Sequence, residues 1–332
     1  MSGAVRFEAE AEDGVEAEDG VEAEDGVEAE DGVGRVGVAT APVHHGEILQ
    51  GVFPHQGRPT RGLVTLPCTV HTTRASFVPA RGGELTVSPA RKTKALRAAR
   101  LAVEACVPPG RAPVGGHLEL SGDVPLRRGF GSSTSDVLAA VLAVRDALAG
   151  PLSREEIARI AVRAETASDS LMFDGSTVLF AQREGEVIED FGRRMPAVRV
   201  LGFGSRPEDG GGGVDTLALP PAAYDGTERA RFAELHAMLR EAVRTGDAAL
   251  LGAVASASTD INQRHLPIPR LDGLRAVARE TGALGIQAAH SGDIAGLLYD
   301  PADPDAEART ARAGRLLHHI GIHEQWTFTT GD

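Results

Sequence analysis

Cysteine and aromatic side chains are scarce in this chain. Two cysteines, Cys68 and Cys106, stand among 332 residues, too few for a disulfide framework and without the CxxC spacing of a zinc site. One Trp, two Tyr and ten Phe bring aromatics to only 4%. The core that a 42% hydrophobic content can bury is therefore built mostly of Ala, Val and Leu. No apolar run approaches the ~18 residues a membrane helix needs; Val137–Val144 is eight long. The N-terminus is acidic within its first ten residues and does not resemble a signal peptide. Bases are outnumbered, 34 against 47 acids, for a formal charge of −13, which speaks against nucleic acid, whose partners carry a basic face. These absences point to a cytoplasmic protein with neither a membrane nor a nucleic-acid partner.

What is present is unevenly distributed. Residues 8–33 repeat the unit V-E-A-E-D-G almost perfectly and hold 13 of the acids. Arg6 is the one base ahead of Arg35, which leaves 34 acids and 33 bases in the rest of the chain. A Gly in every unit and dense like charge oppose both helix and core, so residues 1–34 read as a disordered acidic tail. The repeat lacks the longer unit and apolar face of a solenoid.

From Arg35 onward the composition is globular. Strands are expected at Arg35–Thr40, Leu63–Val70, Arg74–Val78, Leu85–Val87 and Gly116–Leu120. Helices are expected at Thr93–Ala105, Asp136–Leu148 and Ser153–Thr166, the last opening with Ser153 and Glu156 at capping-box spacing. Strands at Ser176–Gln182, Glu186–Asp190 and Val198–Gly204 follow. A helix-rich remainder contains strands near Leu284–His290, Asp293–Tyr299 and His323–Thr329. The pattern is α+β in two halves, 35–195 and 196–332.

The segment Asp123-Val-Pro-Leu-Arg-Arg-Gly-Phe-Gly-Ser-Ser-Thr-Ser-Asp136 carries the chemistry. Gly129 and Gly131 let the backbone approach a ligand and take positive φ. Ser132, Ser133 and Thr134 then open a helix, whose unpaired N–H groups and positive dipole end favour phosphate. Their hydroxyls can also reach phosphate oxygens or Mg²⁺. No Lys-Ser/Thr pair follows the glycines and a third glycine is missing, so this is neither a Walker A loop nor a dinucleotide fingerprint. An ordinary strand–helix turn capped by Ser has the same composition.

Pro125-x-x-x-Gly129-Phe130-Gly131-Ser132-Ser133-Thr134 resembles the P-x-x-x-G-L-G-S-S-A loop of the GHMP kinases. Pro42-Val-His-His-Gly46-Glu47-Ile-Leu-Gln50-Gly51 is similar to the opening motif of that family's L-threonine kinase branch. Ala289-His290-Ser291-Gly292-Asp-Ile-Ala-Gly296 resembles its late A-H-S-G motif, and Ser135-Asp136 and Ile261-Asn262-Gln263 also fit that branch. The resemblance covers residues 36–328. It implies a ribosomal-protein-S5-like ATP-binding half, a ferredoxin-like second half, and an active site between them. It also implies ATP and Mg²⁺ as cofactors and phosphorylation of the side-chain hydroxyl of L-threonine or a related amino acid. In that branch the product feeds the aminopropanol linker of cobalamin, and a role in secondary metabolism is equally open. A kinase for another small alcohol such as homoserine, or a non-catalytic nucleotide- or metabolite-binding module, are the other readings.

On this resemblance Pro125, Arg128, Gly129, Phe130, Gly131 and Ser132–Ser135 bind the nucleotide, and Ser133 with Glu165 holds the metal. The branch reads Glu-Pro-Thr/Ser-Asp where this chain has Glu165-Thr-Ala-Ser-Asp169, which sets the acid one residue early, about 100° round a helix. Asp169 is the first candidate for a general base and Asp174 its rival. Glu47, Gln50, His290, Ser291 and Gly292 face the substrate, Glu47 offering a partner to an amino group. The pairs His44-His45 and His318-His319 lack a third ligand at zinc spacing.

Overall fold

The computed structural model describes residues 33–124, 129–205, 223–289 and 293–331. Apart from Val33 and Gly34, the acidic tail lies outside them. Strands β1 (Gly37–His55) and β2 (Arg58–Arg81) form a long antiparallel hairpin. Both outrun their expected lengths. The break expected between Val70 and Arg74 is an irregularity inside β2: Pro42 faces Thr72 while Val43 faces Cys68. A second irregularity sets a step of three along β1, from His44 to Glu47, against a step of two along β2, from Pro67 to Thr65. Bulges of this kind re-aim side chains, and these fall where the opening motif lies.

The first half continues through β3 (Leu85–Ser88), α1 (Thr93–Cys106), β4 (Val114–Gly122), α2 (Ser132–Leu148), α3 (Arg154–Glu165), β5 (Val178–Ala181) and β6 (Glu186–Asp190). Ser153 and Glu156 cap α3 reciprocally, as their spacing predicts. Small side chains let the layers approach closely. A Cβ on Gly37 would fall 2.1 Å from the Ala143 carbonyl, so β1 rests directly on the backbone of α2. Ala98, Ala99, Ala102, Ala140 and Val141 fill this core around Phe77 and Leu118.

The second half contains β7 (Arg199–Gly204), α4 (Gly226–Thr245), α5 (Ala248–Asn262), α6 (Leu271–Thr281), β8 (Gly285–Ala288), β9 (Ile294–Tyr299), α7 (Ala306–His319) and β10 (Gln325–Thr329). Its strands lie in the order β10-β7-β9-β8, fourth beside first and third beside second, which is the ferredoxin-like arrangement. Leu274 and Leu317 of α6 and α7 pack on Leu201, Phe203 and Leu297. Helices α4 and α5 instead pack Phe232, Leu235 and Leu251 against Phe53, Val64 and Leu66 of the long hairpin. Glu47 pairs with Ala288, and this link joins β8 to β1. Among the described residues one ten-stranded sheet therefore runs through both halves, with β1 in the shared middle. No helix among them is long and apolar enough to cross a membrane.

Candidate active site

Helix α2 starts at Ser132, four residues ahead of the expected Asp136, so the whole Ser-Ser-Thr-Ser run forms its first turn. Gly131 caps it in the left-handed region at φ 66°, and no side-chain cap bond is made there among the described residues. The amides of an uncapped first turn are an anion site. Gly131 is doubly required, because a Cβ there would lie 2.1 Å from the His44 ring. Between the glycines, Phe130 is buried rather than turned to solvent. Its ring meets His71 at 5.0 Å, Trp326 at 5.2 Å and His45 at 5.9 Å between centroids. Its carbonyl accepts from the His44 amide at 3.1 Å, which ties the loop to β1.

Glu165 reaches this turn in spite of its early position. Helix α3 ends at Glu165, and Thr166 leaves it at φ 77°, so helical rotation no longer governs the residues beyond. Ser133 Oγ donates to Glu165 Oε2 at 2.7 Å, and Thr134 Oγ1 lies 2.9 Å from Oε1. Thr134 Oγ1 is also 3.2 Å from Asp169 Oδ2. One hydroxyl proton serves one acceptor at a time, so Thr134 bridges the two acids. Burial raises the Glu165 carboxyl to about 7, outweighing the hydroxyls that stabilise its anion.

On the far side of Asp169 stands His44, a residue that sequence reasoning passed over. It is fully buried, and its Nε2 lies 2.9 Å from Asp169 Oδ2. The Gly46 amide donates to Nδ1 at 2.9 Å, so the neutral ring carries its proton on Nε2, toward the carboxylate. Burial alone would lower the ring's pKa, but Asp169 outweighs it and raises it to about 9. Burial would likewise raise Asp169, yet His44 holds it below the usual carboxylate range. His44, Glu47 and Asp169 bring one donor atom each within 4.8 Å of one another. The Gly46 amide occupies Nδ1, while Nε2 stands at ion-pair distance from Asp169 without hydrogen-bond geometry. His45 faces elsewhere, with Nδ1 2.8 Å from Gln287 Oε1, and burial lowers it to about 4.

Two lysines at the start of α1 were also not foreseen. Lys94 Nζ donates to Ser133 Oγ at 3.2 Å, and Lys92 pairs with Asp136 in the first turns of α2. Their signal was proximity in the fold alone; they precede the loop by more than a helix and a strand. Other expected site residues lie apart from this cluster. Asp174 pairs with Arg154 at 2.6 Å on the surface. Gln50 packs on α5, its carbonyl accepting from Asn262 at 3.0 Å and its amide donating to Ser258. Asn262 is thereby a packing residue, and Gln263 closes the end of α5 through Thr259 and Ile268. Pro125, Arg128, His290, Ser291 and Gly292 lie outside the described residues.

Among the described residues, a helix N-terminus without a side-chain cap thus has a lysine, a hydroxyl and two carboxylates beside it. Residues 93–180 match the model of the GHMP kinases' N-terminal domain, and residues 239–314 that of their C-terminal domain. The chain is 30% identical over 230 residues to a homoserine kinase of Moorella thermoacetica, a match covering 63% of this chain and 70% of that one. It is 26% identical over 192 residues to an L-threonine kinase of Citrobacter freundii, covering 55% and 62%, so it spans less than two thirds of that relative. Among solved structures, homoserine kinase from Cytophaga hutchinsonii superposes with a TM-score of 0.61 at 16% identity, over 89% of this chain and 94% of that one. The chain belongs to the GHMP kinases, ATP-dependent phosphotransferases that act on small alcohols.

Proposed function

We propose that this centre phosphorylates the side-chain hydroxyl of a hydroxy amino acid, L-threonine or L-homoserine, with Mg·ATP. The contact between Ser133 and Glu165, bridged onward by Thr134 to Asp169, carries the reading. A hydroxyl and a carboxylate are hard oxygen donors of the kind Mg²⁺ takes, so Ser133 and Glu165 fit the metal. The amides of Ser132–Thr134 and the ammonium of Lys94 fit the phosphates. Bound there, Mg·ATP supplies the phosphoryl group and neutralises its charge in transfer.

The chain's own residues do the rest. Asp169, kept ionised by His44, accepts the proton of the attacking hydroxyl. His44, buried with Nε2 2.9 Å from Asp169, holds that carboxylate in place. Glu47, buried on β1 within reach of His44 and Asp169, offers the acceptor's ammonium a counter-charge. Both relatives act on hydroxy amino acids according to their names, which supports the acceptor class without choosing within it.

The test is a turnover assay with ATP, Mg²⁺ and a panel of L-threonine, L-serine, L-homoserine and simple alcohols. Phosphorylation of threonine or homoserine is expected, and removal of residues 1–30 is expected to leave it unchanged. Turnover confined to an alcohol without an amino acid backbone overturns the substrate reading and leaves the kinase. Nucleotide binding without phosphoryl transfer to any acceptor would favour a binding module.

A further inference from the structure

A cleft of about 700 Å³ lies between α7 and the edge strand β10, on a side of the molecule that no role above uses. The Gln325 side chain ties its two walls, donating to the Gly314 carbonyl at 3.0 Å and to that of Ile322 at 2.8 Å. Strand β10 screens it from the loop ahead of α2. Gln325 and Thr327 line the cleft, whereas the ring of Trp326 between them rests on Phe130.

The basic groups of this cleft are unmatched. The arginines of α7 outside its lining, Arg309 and Arg312, pair with Asp303 and Glu280. Arg315, which lines it, makes no ion pair among the described residues, and neither does Arg199 of β7. The Nε of Arg199 is buried and donates to nothing among them. Such a donor carries a desolvation cost that an acceptor removes. His318 and His319 follow Arg315 by three and four positions and so share its side of the helix. The His323 ring meets that of His318 at 4.4 Å between centroids, and His319 Nδ1 donates to the Arg315 carbonyl at 2.6 Å. One end of the cleft is thus a compact basic cluster. Arg199 stands apart from it, since it faces Thr329 on β10 while Gln325, beside the cluster, faces Phe203. Glu307 is the acid of the lining, in the first turn of α7 and about 12 Å of helix from Arg315.

We infer that this cleft is a ligand site separate from the centre of phosphoryl transfer, and that it takes a small phosphorylated carboxylic acid. The phosphate sits among Arg315 and the histidines, where its oxygens meet several donors at once. The carboxylate lies on Arg199, whose planar fork matches it and supplies the buried Nε with an acceptor. The site does not depend on the kinase reading.

Calorimetric titration of the full chain with 3-phosphoglycerate, glycerol 3-phosphate and inorganic phosphate tests it. Saturable binding is expected, tightest for 3-phosphoglycerate. Arg315 is exposed, so Arg315→Ala leaves the fold in place. It is expected to raise Kd for all three by roughly 10- to 100-fold, the loss of one charged hydrogen bond. Arg199→Ala is expected to raise Kd for 3-phosphoglycerate alone. Lys94→Ala, which removes a cation proposed to hold phosphate at α2, is expected to change none of them. No saturable binding, an unchanged Kd in Arg315→Ala, or losses confined to Lys94→Ala overturn the site. Equal losses on all three probes in Arg199→Ala overturn the carboxylate and with it the class of ligand.

Discussion

Asp169→Asn is expected to lower kcat by about 10²–10⁴, the usual cost of removing a general base. KM for ATP should change little, because the groups proposed to hold the nucleotide, the α2 amides and Lys94, are left in place by the substitution. The variant keeps the shape of the side chain, so Thr134 retains a neighbour to donate to. His44 loses the anion that raises its pKa and returns toward the low value burial dictates, which the ring can tolerate as a neutral Nε2–H donor. Asp174→Asn is the matched control. Its carboxylate is 73% exposed and held by Arg154, so kcat should survive. Steady-state kinetics on the two variants decide between the acids. Equal damage from both, or greater damage at Asp174, would move the base away from the cluster.

Glu165→Gln is expected to abolish Mg²⁺-dependent turnover and yet to stabilise the metal-free protein at alkaline pH. Burial raises Glu165 to about 7, above the ordinary 4.5. The folded state thus holds a proton that the unfolded chain releases, and the stability this contributes is complete below about 4.5 and lost as pH rises through 7. The difference of about 2.5 units corresponds to about 3 kcal/mol. Glutamine has no such proton to lose. Urea unfolding at pH 5 and pH 8 without metal should show the wild type weakening with pH and the variant weakening less. His44, also raised, loses its contribution from about 6.5 to about 9, so the variant keeps a shallower slope of the same sign. Parallel pH slopes in the two proteins would rule out the buried carboxyl.

Much of this site could be read from residue order, and the gaps have physical causes. The glycines and hydroxyls of the loop announce a helix N-terminus by their own chemistry, and only the starting residue moved, because serines have weak helix propensity yet suit a first turn. The one-residue offset of Glu165 suggested a misdirected side chain on the assumption of a continuing helix. The helix stops there, so the offset has no angular meaning. His44 carries no such signal. The His44-His45 pair has no third group at ligand spacing, and the partner of His44, Asp169, is brought near by tertiary folding alone. Strands were under-read for a related reason: the expected break between Val70 and Arg74 reflects the bulge at Thr69–His71, and a bulge interrupts alternation without ending the strand. The ferredoxin-like strand order of the second half likewise rests on pairings between residues remote in the chain.

The chain's poverty in aromatics has an experimental use. Its single indole, Trp326, lies against the ring of Phe130, the residue between Gly129 and Gly131 in the loop ahead of α2. Its emission comes from one place in the molecule, where the C-terminal edge strand meets the loop. Any nucleotide that resettles the loop changes the surroundings of that one fluorophore, so ligand binding can be followed optically in the unlabelled protein.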